Sequence, residues 1–130
     1  MARKSKTIIK VEKWIIRYGN KDNNWDGLNA KRLSDNKWLC EIDLPKIGIC
    51  AKSISRTERK AISSAASKAY AVISEFLHCN MNSSATINSI RNLGIKVGEN
   101  GEFTSTQLSK KQKERIASSM AWVKKSEIDD

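Results

Sequence analysis

Residues 55–77 read SRTERKAISSAASKAYAVISEFL, and the winding of this stretch decides the rest. Ile62, Ala65, Ala66, Ala69, Val72, Ile73 and Phe76 recur at helical spacing and form one apolar face. Ser55, with Glu58 three residues later, has the form of a capping box and predicts a helix that starts there. Its first turn then also carries Arg56, Arg59 and Lys60. Cations at that end oppose the helix dipole, at a cost of roughly a few tenths of a kcal/mol each. Free N–H groups with three cations beside them make a place for anions, phosphate above all. Arg56, Lys60, Ser63 and Ser67 fall roughly opposite the apolar face, which leaves one side for a partner while the other packs. The plainer reading of the same charges is a solvated surface.

Working outward, KWLCEIDL at 37–44 alternates: Trp38, Cys40, Ile42 and Leu44 point one way, Leu39, Glu41 and Asp43 the other. This predicts a strand. Pro45–Gly48 turns the chain, and Ile49–Ile54 is a third strand leading into the helix. On the other side, Trp25–Leu33 reads as a first strand weakened by Gly27, joined through the turn Ser34-Asp35-Asn36. The alanines let the helix lie close on such a sheet, with Trp38 and Ile42 beneath it. Residues 7–19, TIIKVEKWIIRYG, carry two signals. Ile8, Val11, Ile15 and Tyr18 follow a helical spacing closed by Gly19 and Asn20, whereas the β-branched content favours a strand. The helix is preferred. After Phe76 a short helix over Ala85–Leu93 closes at Gly94, a small hairpin joins Ile95–Val97 to Glu102–Thr104, and Thr106–Lys125 is helical, with Leu108, Ile116, Met120 and Val123 on one face. The expected class is α+β: an α-β-β-β-α core over residues 1–79, then a helical extension over 80–130 that packs on the core, dimerises or binds another protein.

The chain of 130 residues carries a formal net charge of +10. Residues 1–74 hold 16 Lys and Arg against 7 Asp and Glu, and the remainder 8 against 7. A basic half points to a polyanion, most often nucleic acid. A membrane surface ranks lower, because no segment joins a strong apolar face to a basic polar one. No apolar run long enough for a signal peptide or a span follows the basic start MARKSKT, itself a candidate phosphate-touching arm. Cys40, Cys50 and Cys79 are odd in number and irregularly spaced, as expected of reduced thiols in the cytoplasm. Neither these with His78 nor the strand neighbours Glu41 and Asp43 make a persuasive metal site, and no cofactor is expected. GIKVGENG, residues 94–101, lacks the context of a phosphate loop, and the single His78 is better placed as a packed or solvated cap than as a catalyst. The chain is therefore expected not to be an enzyme. Trp14, Trp25 and Trp122 are candidates for stacking on bases, and Trp38 for the core.

The run KWLCEIDL, a turn, a third strand and TERKAISSAASKAY resembles the second half of a double-stranded-RNA-binding domain. That family has an α-β-β-β-α order and an S-K-K-x-A-K-x-x-A-A-x-x-A-L signature opening its last helix. Thr57 stands at the serine, Glu58 and Arg59 at the paired lysines, Ala61 at the first alanine, Ala65 and Ala66 at the alanine pair, and Ala69 and Tyr70 at the end. The likeness spans about residues 5–78. It departs at Glu58 and Ile62, which replace lysines, and at Ser34-Asp35-Asn36, which replaces a G-P-x-H loop that enters a minor groove. The resemblance implies recognition of A-form shape with little sequence preference. Arg56, Arg59 and Lys60 would then take phosphates across the major groove, with Lys52 helping from the end of the third strand. Lys10, Lys13 and Arg17, with Glu12, would supply ribose and backbone contacts from the first helix.

Two other classes fit the same residues. A three-stranded-sheet DNA module of the AP2 or recombinase arm-binding kind would lay Lys31, Arg32, Lys37 and Lys52 of an exposed sheet face into a major groove. A small viral or mobile-element protein that blocks a host protein complex would use the extension. Duplex RNA is the preferred partner and duplex DNA the second.

Overall fold

The computed structural model describes residues 5–77, 79–98, 103–104 and 108–128, with side chains up to residue 119 apart from Phe103. His78, the basic arm at 1–4, residues 99–101 of the glycine-spaced segment with residue 102 after it, and the side chains of Met120, Trp122 and Val123 lie outside this description. The chain is α+β, in the order α1 (Lys6–Tyr18), β1 (Lys31–Ser34), β2 (Lys37–Leu44), β3 (Ile49–Ser55), α2 (Glu58–Ser74), α3 (Ser84–Leu93), β4 (Lys96–Val97), β5 (Phe103–Thr104) and α4 (Lys110–Ile128).

Strand β2 runs over the residues its alternation marks, with Cys40, Ile42 and Leu44 buried and Lys37, Glu41 and Asp43 exposed. It pairs antiparallel with β3 from Leu44↔Ile49 to Trp38↔Ser55. That register sets Cys40, Ile42, Leu44, Ile49, Ala51 and Ser53 on one face. Helix α2 covers this face with Ala61, Ala65, Ala66, Ala69, Val72 and Ile73, all buried, while Ile62 is only half-buried. Trp38 packs half-buried at the edge of the core, and Ile42 lies within it.

The two signals in residues 7–19 resolve as a helix. Ser5 caps α1, its hydroxyl accepting from the Ile8 amide at 3.2 Å, and Val11, Ile15 and Tyr18 turn inward. Burial along a helical stripe outweighs the small intrinsic penalty of β-branched residues. The amide of Lys46 donates to the Tyr18 carbonyl at 3.0 Å, so α1 ends against the β2–β3 turn. Helix α2 starts at the far end of β3 and heads toward the same turn. The two helices thus run in the same sense on one side of the sheet, with Trp14 of α1 stacked on Tyr70 of α2 at 5.7 Å.

Two differences from expectation have physical causes. The sheet has five strands, not three, in the order β1-β2-β3-β4-β5. Strand β4 runs parallel to β3, Cys50 opposite Lys96 and Ala51 opposite Val97, and β5 returns antiparallel to β4. This closes the edge that β3 would otherwise expose, with Ile95 and Val97 buried as they do so. Strand β1 begins at Lys31 rather than Trp25. Upstream, the Leu28 amide donates to the Glu12 carboxylate at 2.8 Å, fastening residues 25–30 to α1 instead of to the sheet. Of the outcomes open for the extension, packing on the core is the one seen. Ile90, Ile95, Val97, Leu108 and Ile116 belong to the same apolar cluster as Val11 and Ile42, and Arg115 of α4 holds Glu75 by a two-point ion pair, with Nε 2.8 and 2.9 Å from its two oxygens.

Lys68 is the unexpected core residue. It lies at the centre of the buried stripe of α2, three residues beyond Ala65 and four before Val72, and is 2% exposed. Its ammonium donates to the Lys52 carbonyl and the Ser53 hydroxyl at 3.3 Å each, and to the Gly98 carbonyl at 3.5 Å. Ser53 in turn bonds Ser64 of α2. The lysine thus serves backbone that the two-residue β4 is too short to pair, and it joins α2, β3 and the segment after β4. Lys68→Ala should lower unfolding stability by about 2–4 kcal/mol, through lost packing and stranded acceptors. Lys68→Met, which refills the volume, should cost less. Urea midpoints measure both, and two silent substitutions would place Lys68 outside the core.

Candidate nucleic-acid interface

The start of α2 is set by Thr57, not Ser55. Ser55 is the last residue of β3 and lies opposite Trp38, so it is committed to the ladder. Thr57 takes extended backbone geometry and its hydroxyl accepts from the Lys60 amide at 3.1 Å. The expected capping box is therefore replaced by a simple cap. Glu58 becomes the first helical residue, where its charge suits the dipole. Arg56 precedes the helix, while Arg59 and Lys60 occupy its first turn. All three side chains are exposed, and none has an ion-pair partner among the described residues.

On α1, Lys10, Lys13 and Arg17 follow i, i+3, i+7 spacing and are exposed, a stripe of about 10 Å along the helix. Lys10 stands over the Tyr70 ring at 5.7 Å, and that ring in turn stacks on Trp14. This ladder fixes the upper part of the stripe to α2. Arg17 is differently placed. Its guanidinium lies over the Tyr18 ring at 5.3 Å and donates to Asn82, at the end of α1 remote from the start of α2. Glu12 is occupied by the Leu28 amide and anchors a loop rather than presenting itself to a ligand. The helical layer therefore carries Lys10 and Lys13 on α1, with Lys10 tied to Tyr70 in the later part of α2, and Arg56, Arg59 and Lys60 at the start of α2, while Arg17 is held toward Asn82.

Lys52 belongs to neither. It points to the outer face of the sheet, away from the helices and opposite Glu41 of β2. Lys31 and Lys96 share that face by register, with Asp43 between Glu41 and the β2–β3 turn. The outer face thus interleaves carboxylates with its lysines. Arg32 is on the other parity, opposite Trp38, and its guanidinium meets Asp35 at 2.8 Å in a solvent-exposed pair.

The remaining chemistry is sparse. Burial, then the charge of Glu41, pushes the Cys40 thiol up to about 11. Cys50 is also raised, chiefly by burial and next by Asp43 and Glu41, so neither thiol is poised as a nucleophile. Among the described residues no group of three or more His, Cys, Asp or Glu side chains is placed to hold a metal ion. No helix among them is long and apolar enough to cross a membrane. No family model, no curated protein and no solved structure matches the chain.

Residue 68 was missed in the sequence although its position on the apolar stripe was a readable signal. The Thr57 cap was masked by the Ser55–Glu58 pattern beside it. Thr57→Ala should cost about 1 kcal/mol of stability and fray the turn that presents Arg59 and Lys60, whereas Thr57→Ser should be near neutral. Thermal unfolding together with amide exchange at residues 58–61 measures this.

Proposed function

We propose that the chain is a non-enzymatic nucleic-acid-binding protein that grips a duplex, RNA in preference to DNA, through the helical layer. The observation that carries this reading is the set of exposed cations Arg56, Arg59 and Lys60 at the start of α2, none of them ion-paired among the described residues, with Lys10 and Lys13 exposed on the neighbouring α1. The α1-β1-β2-β3-α2 order and the buried Ala61, Ala65, Ala66 and Ala69 support the likeness to double-stranded-RNA-binding domains. In that arrangement the start of α2 meets phosphates across a major groove, and the stripe on α1 meets the sugar–phosphate edge of a minor groove. The tight turn at Asp35–Asn36 replaces the longer loop of that family, so a second minor-groove contact would have to be remade from the exposed cations Lys31 and Lys37 beside it.

The alternative, a sheet laid in DNA, would use Lys31, Arg32, Lys37 and Lys52. Glu41 opposite Lys52 weighs against that face, and Arg32 lies on the other parity, paired with Asp35. A duplex held by phosphates shows low sequence preference and a steep fall of affinity with salt.

A salt-titrated binding assay on matched RNA and DNA duplexes tests the proposal. The Arg59→Glu/Lys60→Glu variant should bind every duplex sequence more weakly and lower the slope of log affinity against log salt by about 2. RNA should be bound more tightly than DNA. Affinity unchanged in the double variant would remove α2 from the contact, and a DNA preference lost on Lys52→Glu would favour the sheet.

A further inference from the structure

Arg17 leads to a second basic feature, which the duplex contact does not use. At the β2–β3 turn, where α1 ends and α3 packs, lies a cleft of about 280 Å³. Arg17 of α1, Lys46 of the turn and Arg91 of α3 line it together with Asn82 and the apolar Met81 and Ile87. Each cation is oriented by a neutral group. Arg17 donates to the side-chain oxygen of Asn82, Arg91 to that of Asn88, and Lys46 to the Arg17 carbonyl at 3.4 Å. These bonds fix direction and leave the charge in place. Among the described residues no carboxylate lines the cleft. The backbone around it is tightly set. Gly48 has φ +68°, and a Cβ there would come within 2.6 Å of the Arg91 carbonyl, so turn and helix are held close by a residue that only glycine suits.

The charges show what the cleft attracts. Arg17 and Arg91 sit in the last turns of α1 and α3, where helix ends contribute about −0.5 elementary charge each. One negative unit against three cations leaves about two positive charges converging on one cleft. Such convergence raises the local positive potential and favours the entry of an anion. A phosphomonoester carries about −1.5 to −2 at neutral pH and offers three acceptor oxygens to three donors. A backbone phosphodiester carries only a single charge and is the poorer match.

We propose that this cleft binds a phosphomonoester group, independently of the duplex contact on α2. The chemistry is the same whether the group belongs to a small phosphorylated metabolite or to the 5′ end of a nucleic-acid strand. Inorganic phosphate is the probe, titrated at constant ionic strength into the isotope-labelled full chain, with chloride as reference. The expected result is saturable shifts at Arg17–Gly19, Lys46, Asn82 and Arg91. They should be lost in Arg17→Gln/Arg91→Gln and retained in Arg59→Glu/Lys60→Glu. Lys46→Gln, on an exposed turn where folding is not at stake, should weaken phosphate several-fold and leave affinity for a duplex with 5′-hydroxyl ends unchanged. Tighter binding of a 5′-phosphorylated duplex, abolished by Lys46→Gln, would assign the strand end. Equal binding of the two duplexes with the phosphate shifts intact would assign a small phosphomonoester. Shifts no larger than those from chloride, or shifts that survive in both cleft variants, would overturn the proposal.

Discussion

The contact between the alanine stripe of α2 and the β2–β3 pair sets the geometry of everything else. Ala61, Ala65, Ala66 and Ala69 are completely buried, and with side chains this small the helix backbone can lie low on the sheet. Bulkier residues would lift it and separate it from Ala51 and Ser53. The closeness has a consequence at Lys68. Its stem runs through the same interface, and its ammonium reaches the Lys52 carbonyl and Gly98, past the point where β4 stops pairing with β3. A buried amine is tolerated there because oxygen acceptors surround it. The same lysine ties the residues after α3 to the first part of the chain, which is one reason the extension shares its core.

The low seat of α2 also sorts the charges. Its inner side is uncharged except for Lys68, and its start projects Arg56, Arg59 and Lys60 into solvent. Helix α1, stacked through Trp14 on Tyr70, carries the exposed Lys10 and Lys13 in the same helical layer. The opposite face of the sheet sets Glu41 and Asp43 among Lys31, Lys52 and Lys96. A charged rail of phosphates would meet mostly cations over the helices, with Glu58 the carboxylate among them, and an alternating field over the sheet. The proposed preference for the helical side follows from this partition, and the proposed phosphate cleft at Arg17, Lys46 and Arg91 stands apart from it.

Much of the fold was legible because it was written locally. The alternation of 37–44, the glycine close at Gly94 and the alanine stripe of α2 each survive in the structure, since burial on one face enforces the period that the residues show. What could not be read depended on partners distant in sequence. Strands β4 and β5 were legible as a small hairpin, but that the hairpin joins the sheet along the open edge of β3 was not, because β4 is two residues long and its partner there is distant in sequence. The segment before β1 looks strand-like, yet Glu12 claims the Leu28 amide. Ser55 matches a capping box but is taken by the ladder with Trp38, so the role passes to Thr57. Of the basic candidates, Arg56, Arg59, Lys60, Lys10 and Lys13 fall on one layer. Lys52 fell on the other face because strand parity, not nearness in sequence to α2, decides where a side chain points. Arg17 was drawn to Asn82, a residue no local pattern connects to it.

The central claim is that the helical layer, not the sheet, meets the nucleic acid. Amide and side-chain shift mapping of the isotope-labelled full chain on addition of a duplex RNA tests it most directly. The account predicts saturable changes at residues 56–61 and around Lys10 and Lys13, with Glu41, Lys52 and Lys96 undisturbed. Changes concentrated on β2, β3 and β4, with the first turn of α2 silent, would contradict it.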